Sequence, residues 1–315
     1  MKFGLQINNF TWPGGTAAIG PTLGHVTRTA DDVGFDSIWV MDYFWQIGPP
    51  GSELEPMLEG WTTLGYMAAH TQRARLGLMV GGVHYRHPGL WVKAATTLDV
   101  LSGGRAWLGI GAAWNQAESE GLGFPWPTQR ERFERLEDTL QIAHRMWLGE
   151  RGTEEDFRGH HYHATRLLNV PQSISRPRVP IMIGGGGEKR TLRLVAQYAD
   201  ASNLFGGPAD LPPKYAILAE HCAAVGRDFA EIERTNMQGV GLGTTGAWSR
   251  GPESPDAIVE RFGRLAEAGV QHVIVNFAES NETDLIELLG SRVLPQLRGI
   301  DAADPRGVTA GVPAL

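Results

Sequence analysis

Short apolar runs alternate along this chain with longer stretches in which apolar residues recur every three or four positions. The runs read as buried strands and the stretches as amphipathic helices, the pattern of parallel strands joined by crossover helices. Strands are predicted at 3–7, 37–42, 75–81, 106–112, 179–184, 201–205, 235–242 and 272–277. A helix is predicted after each, at 22–33, 61–70, 88–101, 129–147, 189–198, 212–225, 255–268 and 283–297. In the fourth helix Phe133, Leu136, Leu140, Ala143 and Trp147 share one side, while Glu131, Glu134, Arg135, Glu137 and Asp138 take the other. The third opens on Pro88, which suits a first helical turn, and stops at Gly103 and Gly104. Eight such units in 315 residues predict an α/β fold, a closed (β/α)8 TIM barrel in preference to an open doubly wound sheet. One barrel domain is expected over 1–298, with an insertion at about 149–178 before the fifth strand and a C-terminal tail over 299–315. The insertion and the stretch 47–60 exceed ordinary loop length, and loops of that kind usually cover a site.

Composition narrows the classes. At 42% hydrophobic the chain buries a large core, and a net charge of -7 argues against a nucleic-acid or anionic-membrane partner. The single Cys222 cannot form an internal disulfide, and the opening MKFGLQINNF lacks the apolar stretch of a signal peptide. A cytoplasmic protein is therefore expected, and no run is long enough to predict a membrane span. Ten tryptophans, several beside glycines at strand ends, point to an aromatic-lined pocket.

The densest chemical signal is VPIMIGGGGEKR, where a strand runs into Gly184, Gly185, Gly186 and Gly187 and then into a helix start. Glycines let a ligand approach the backbone, and a helix start offers free N–H groups, so the junction reads as a phosphate cradle. An ordinary strand-to-helix turn needs only one or two glycines. A dinucleotide fingerprint would require glycine where Lys189 stands, and a P-loop would not place Glu188 after the last glycine, so neither motif is supported.

In a barrel the active site lies at the C-terminal strand ends, which here read WVMDYF, MVGGVHYRHP, GIGAAWNQAE and the glycine run. They describe a flat cofactor site with glycine and small residues against a ring and polar groups at its edge. Asp42 reads as an acceptor for a ring N–H, a general base, or a turn cap. Asn115 and Glu118 either bond a ligand or cap the next helix. His84 and His87 flank Arg86 without a third ligand in reach, and His160, His161 and His163 lie in a loop that reads as solvated or as a lid, so no metal is expected. Ser102 and Ser119 lack a nucleophile-elbow context and Cys222 sits mid-helix, leaving nucleophilic catalysis without support.

Three blocks in order, GFDSIWVMDYF, RLGLMVGGVHYRHPGLWVKAATTLDVLSGGRAWLGIGAAWNQAESEGLGFPWPTQRERFERLEDTLQI and VPIMIGGGGEKRTLRLVAQYAD, make the chain resemble the luciferase-like monooxygenase superfamily, in its coenzyme F420-dependent oxidoreductase branch. The resemblance implies hydride transfer between a deazaflavin and a small organic substrate, or, with FMN, oxygenation. It places the cofactor ring over the end of the third strand against Met79, Val80 and Gly81, where many members carry a non-prolyl cis peptide. It sets Asp42 and Asn115 near the ring, Glu118 on the helix beyond, and Gly184 to Gly187 at the phosphate of the cofactor tail. Homodimers are common in the family. The sugar-phosphate dehydrogenases of this family carry an acid where this chain has Ala112 and Ala113, and often His where it has Tyr43, so a sugar-phosphate substrate is not expected. Tyr43, His84, Trp12 and Trp114 become the candidates for substrate contact or proton transfer. Competing hypotheses are a flavin- or deazaflavin-binding protein without turnover, and a metal-dependent barrel hydrolase using the histidines.

Overall fold

The computed structural model describes residues 1–48, 51–242 and 251–305. Eight strands, β1 (Lys2–Ile7), β2 (Ser37–Val40), β3 (Arg75–Leu78), β4 (Ala106–Gly111), β5 (Ile181–Gly184), β6 (Ala201–Leu204), β7 (Glu233–Gly239) and β8 (His272–Asn276), pair in parallel in chain order. β8 returns to β1, and the β4–β5 pairing completes the closed barrel. Trp39, Met79, Trp107, Met182, Ala201 and Ile274 fill its inside as a cluster separate from the larger core between strands and helices.

The outer layer follows local signals. Helix α1 (Thr16–Val33) ends on Gly34, whose φ of 99° provides the left-handed cap. α2 (Gly60–His70) is capped by Glu59, which accepts from the Thr62 N–H, and α3 (Pro88–Ser102) stops at Gly103. After α4 (Gln116–Gly121), the long α5 (Gln129–Met146) starts on a capping box in which Thr128 and Glu131 satisfy each other's backbone N–H. α6 (Thr191–Tyr198), α7 (Leu211–Ala224) and α8 (Pro255–Glu267) cover the second half, followed by α9 (Thr283–Leu288) and α10 (Leu294–Arg298). Within 149–178 two short antiparallel pairings form, Gly152–Thr153 with Leu167–Leu168 and Phe157–Arg158 with His163–Ala164.

Several boundaries differ from expectation for identifiable reasons. α1 begins before Pro21 and carries that proline inside its second turn, whereas the periodicity pointed to a start after it. The last predicted helix is interrupted by a π turn, Leu289–Val293, just before Pro295, which has no N–H to continue the ladder. α6 starts at Thr191 with no side-chain cap, two residues beyond the predicted Lys189. β3 stops at a cis peptide bond between Met79 and Val80, and Gly81–Gly82 then pair with Ile110 and Gly111 of β4. Of the predicted tail, residues 306–315 lie outside the described residues.

Candidate active site

At the C-terminal ends of β3 to β6 the barrel opens into a cleft of about 380 Å³. Its floor is the Met79–Gly82 segment, one wall is Gly111–Asn115, and the glycine run forms the far end. Tyr43 and Tyr85 enter from one side, Gln129, Arg132 and Phe133 of α5 from another, and Asn203, Phe205 and Thr191 close the rest.

Val80 is the centre of the floor, and two neighbouring strands give up side chains to seat it. A Cβ at Gly184 would lie 2.8 Å from Val80 Cγ2, and one at Gly111 3.2 Å from it. Beneath, Gln6 Nε2 donates to the Met79 carbonyl at 3.4 Å, and Asn276 Nδ2 donates to Gln6 Oε1 at 2.8 Å, tying the floor to β1 and β8.

The four glycines answer to different demands. Gly184 makes room for Val80, Gly185 has a φ of 118° that other residues rarely adopt, and a Cβ at Gly187 would meet Thr191 Oγ1 at 2.8 Å. Gly186 has no such internal reason, because its nearest neighbour would be Leu204 Cδ2 at an ordinary 3.7 Å. Among the described residues the N–H groups of Gly186 and Gly187 have no protein acceptor, while the Gly185 N–H donates to the Asn203 carbonyl at 3.0 Å.

The expected site residues divide into those that line the cleft and those that support it. Tyr43, Met79, Val80, Gly81, Trp114, Asn115 and the glycine run all line it. Trp114 is 62% exposed at the mouth, and its Nε1–H donates to the Tyr43 hydroxyl at 2.5 Å. Burial pushes the Tyr43 hydroxyl well above the ordinary tyrosine range; the Trp114 bond offsets part of this, and nearby Glu118 and Asp42 add to the rise. Asn115 does both things that its position allowed: Oδ1 caps α4 by accepting from the Glu118 N–H at 3.4 Å, and the residue faces the cleft.

Asp42 lies behind the wall. It is 2% exposed and bonds Arg86 through both oxygens at 2.8 Å, while Oδ2 also accepts the Gly82 N–H at 3.2 Å. Arg86 reaches Glu59 as well, at 2.5 Å. Burial alone would lower the Arg86 pKa, but Asp42 and Glu59 reverse this and hold it above its ordinary value. Asp42 therefore orients the floor backbone and does not itself face the cleft.

Glu118 is fully buried and accepts from the Phe44 N–H at 2.8 Å, the Trp45 N–H at 2.7 Å and the Tyr85 hydroxyl. It clamps the segment after β2 onto α4 and reaches the cleft only through Tyr85. His84 is half-buried beside that clamp, its Nε2 2.7 Å from Ser119 Oγ. Burial, then the charges of Arg132 and Arg135, push the imidazole down to about 4, so it is neutral at ordinary pH and stands outside the cleft lining. Trp12 is core, 5% exposed and edge-on to Phe10 at 5.4 Å, with its Nε1 buried without a partner. It does not line the cleft, because the indole packs inward from the connection between β1 and α1.

The loop histidines are taken up by the fold. His161 Nε2 lies 2.8 Å from Glu134, and Asp138 accepts the N–H groups of His160 at 3.0 Å and His161 at 2.8 Å. Among the described residues no three His, Cys, Asp or Glu side chains are grouped to hold a metal ion. Among the described residues no helix is long and apolar enough to cross a membrane.

Sequence reasoning missed Gly82, Tyr85, Gly111, Gln129, Arg132, Phe133, Thr191, Asn203 and Phe205. Phe205 had a signal, since it ends the predicted sixth strand as Asp42 ends the predicted second. Arg132 and Phe133 had none, because helix periodicity cannot tell a face over a cleft from a face on solvent.

The family model described as luciferase-like monooxygenase matches residues 1–247. An F420-dependent glucose-6-phosphate dehydrogenase of Nakamurella multipartita is 27% identical, over 92% of this chain and 97% of that protein. Among solved structures, the coenzyme F420-dependent tetrahydromethanopterin reductase of Methanopyrus kandleri aligns with a TM-score of 0.73 at 18% identity, covering 93% of this chain and 98% of that one. The oxygenating constituent of 3,6-diketocamphane monooxygenase of Pseudomonas putida, in complex with FMN, gives 0.73 at 17% identity, over 94% and 98%. Both structures share the fold of this chain.

Proposed function

The chain belongs to the luciferase-like monooxygenase family, and from that premise we propose that it is an oxidoreductase that uses coenzyme F420 to pass a hydride to or from a small organic substrate. The observation that carries this reading is that the Val80 floor and the open Gly186 and Gly187 amides belong to one continuous cleft. A planar ring fits over Met79, Val80 and Gly81, with Asn115 at its edge, and an anionic tail fits where the absent Gly186 Cβ leaves the backbone open. The relatives with F420 in their names support the deazaflavin over FMN. When bound, the deazaflavin supplies a carbon that exchanges hydride in two-electron steps.

The protein's own part is orientation and placement of protons. Tyr43 accepts from Trp114, so its own hydrogen remains free to donate toward the cleft. Tyr85 commits its hydrogen to Glu118 and so presents an oxygen lone pair. Asp42 and Glu118 act through what they hold, Gly82 in the first case and Tyr85 in the second. Ala112 and Ala113 offer no acid at the wall, and Arg132, the one cation among the described residues that line it, is engaged with the Ala112 and Pro127 carbonyls at 2.9 and 2.7 Å. This favours an uncharged substrate between Trp114 and Phe205, in contrast to the sugar phosphate named for the Nakamurella relative. A single barrel domain over 1–298, a homodimer, a cytoplasmic location and no nucleic-acid partner belong to the same reading.

Titration of the purified protein with F420 and with FMN, followed by fluorescence, tests it. Micromolar binding of F420 is expected, and binding of FMN alone would overturn the cofactor assignment. Binding of F420 without its reduction or oxidation by any alcohol, aldehyde or imine would leave a carrier and not an enzyme.

A further inference from the structure

The strand starts, at the end of the barrel away from the cleft, hold a second constellation. Ser37 opens β2, Glu233 opens β7 and His272 opens β8. Ser37 Oγ lies 2.9 Å from His272 Nε2, and His272 Nδ1 lies 2.8 Å from Glu233 Oε1. The direction of these bonds is set by what each group can do. A carboxylate only accepts, so Nδ1 carries the hydrogen; in the tautomer that leaves Nε2 bare, Nε2 takes the Ser37 proton. That leaves Oγ to accept from the Trp39 Nε1–H, which can only donate and sits 2.7 Å away. Burial opposes the Glu233 charge, but the bonds from His272 and Lys2 outweigh it and hold the carboxyl down to about 2. A Cβ at Gly4 would strike Ser37 Oγ, so β1 gives up a side chain to this group.

Ser37 and His272 line a cavity of about 300 Å³. They are 1% and 4% exposed, so the cavity is the route by which an ester or water would reach them. The cavity carries Lys2, Arg73, Arg75 and Arg298 against Asp36 and Glu233, a positive opening on a chain of net charge -7. Arg75 pairs with Ser37 across β2 and β3, and its guanidinium lies 5.9 Å from the Trp107 ring. Among the described residues it has no carboxylate partner.

We propose that this is a second, esterolytic site in which Ser37 is the nucleophile, His272 the base and Glu233 the orienting carboxylate, acting on small esters that carry an anionic group. Ser37 Oγ bonds to the ester carbonyl carbon while its proton passes to Nε2, and Arg75 faces the oxygen that becomes negative. Collapse expels the alkoxide, which takes that proton from His272. Water then attacks the acyl-serine by the same route, releasing the acid and restoring Ser37. The competing account is a polar plug that closes the barrel, consistent with the usual stabilising role of this end.

The test treats the whole protein with an alkyl fluorophosphonate and locates the adduct by intact mass and peptide mapping. Hydrolysis of 4-nitrophenyl succinate and 4-nitrophenyl acetate is measured alongside. One adduct at Ser37 is expected, with faster hydrolysis of the succinate ester, its loss by about two orders of magnitude or more in Ser37→Ala, and loss of the anionic preference in Arg75→Ala. No adduct at Ser37, or equal hydrolysis by wild type and Ser37→Ala, overturns the proposal and leaves the plug. If Ser37→Ala fails to fold, labelling of the wild type decides alone. No cofactor enters the assay, so its failure is separable from failure of the F420 reading.

Discussion

Gly186→Val separates ligand approach from folding, and the structure says why this glycine and not its neighbours. A Cβ at 186 meets nothing closer than 3.7 Å, and no positive φ is imposed there. Its substitution should therefore change stability by no more than about 0.5 kcal/mol, as for ordinary surface positions. Gly185, at a φ of 118°, is the control: Gly185→Ala should cost about 1–2 kcal/mol from backbone strain, a melting shift of a few degrees. On the ligand side, Gly186→Val blocks the route to the N–H groups of 186 and 187. Hydrogen bonds to a charged group contribute about 1.5–3 kcal/mol each, so losing one weakens binding about 10- to 150-fold. The assay is a fluorescence titration with F420 beside a thermal melt of the ligand-free variants. Gly186→Val that binds F420 as tightly as wild type, or weakens only as its melting point falls, would refute the cradle and leave an ordinary turn.

Three further outcomes are expected. Glu118→Ala strands the Phe44 and Trp45 N–H groups and the Tyr85 hydroxyl, and should cost about 3 kcal/mol or more in urea unfolding; a loss under about 1 kcal/mol would show the clamp to be idle. The folded His84 titrates at about 4 against 6.5 unfolded, so the unfolded chain takes up a proton that the folded one refuses, and stability falls as pH drops through that window. His84→Gln should flatten this slope in urea melts across that range, whereas identical slopes would contradict the burial argument. Glucose 6-phosphate should not reduce bound F420, and turnover with it at a rate above that of uncharged alcohols would sink the reading of Ala112, Ala113 and Tyr43.

The barrel was legible because burial on both faces imposes long apolar runs on its strands, while crossover helices impose the other period. Val179 to Ile183 is apolar throughout except for Pro180, and α5 shows one clean stripe. The helix ends were less legible: Pro21 sits inside α1, where a proline usually marks a boundary, and Pro295 hides the π turn behind an unbroken pattern. The site was legible as a set of strand ends but not as a division of labour. Nothing in WVMDYF says that Asp42 turns back to Arg86, because the partner is 44 residues away. His272 and Glu233 gave no signal at all, since neither stands in a motif and only barrel closure brings them to Ser37.

Val80 and the first glycine of the run share one socket, and this links the two ends of the cleft in heredity as well as in space. A side chain acquired at 184 to reshape the glycine end would push on Val80 and tilt the cleft floor. A larger residue at 80 would in turn press on both 111 and 184. Position 186 can therefore vary alone without disturbing the fold, whereas 80, 111 and 184 must change as a group, and changes in the shape of the cleft floor should appear there as jumps and not as steps.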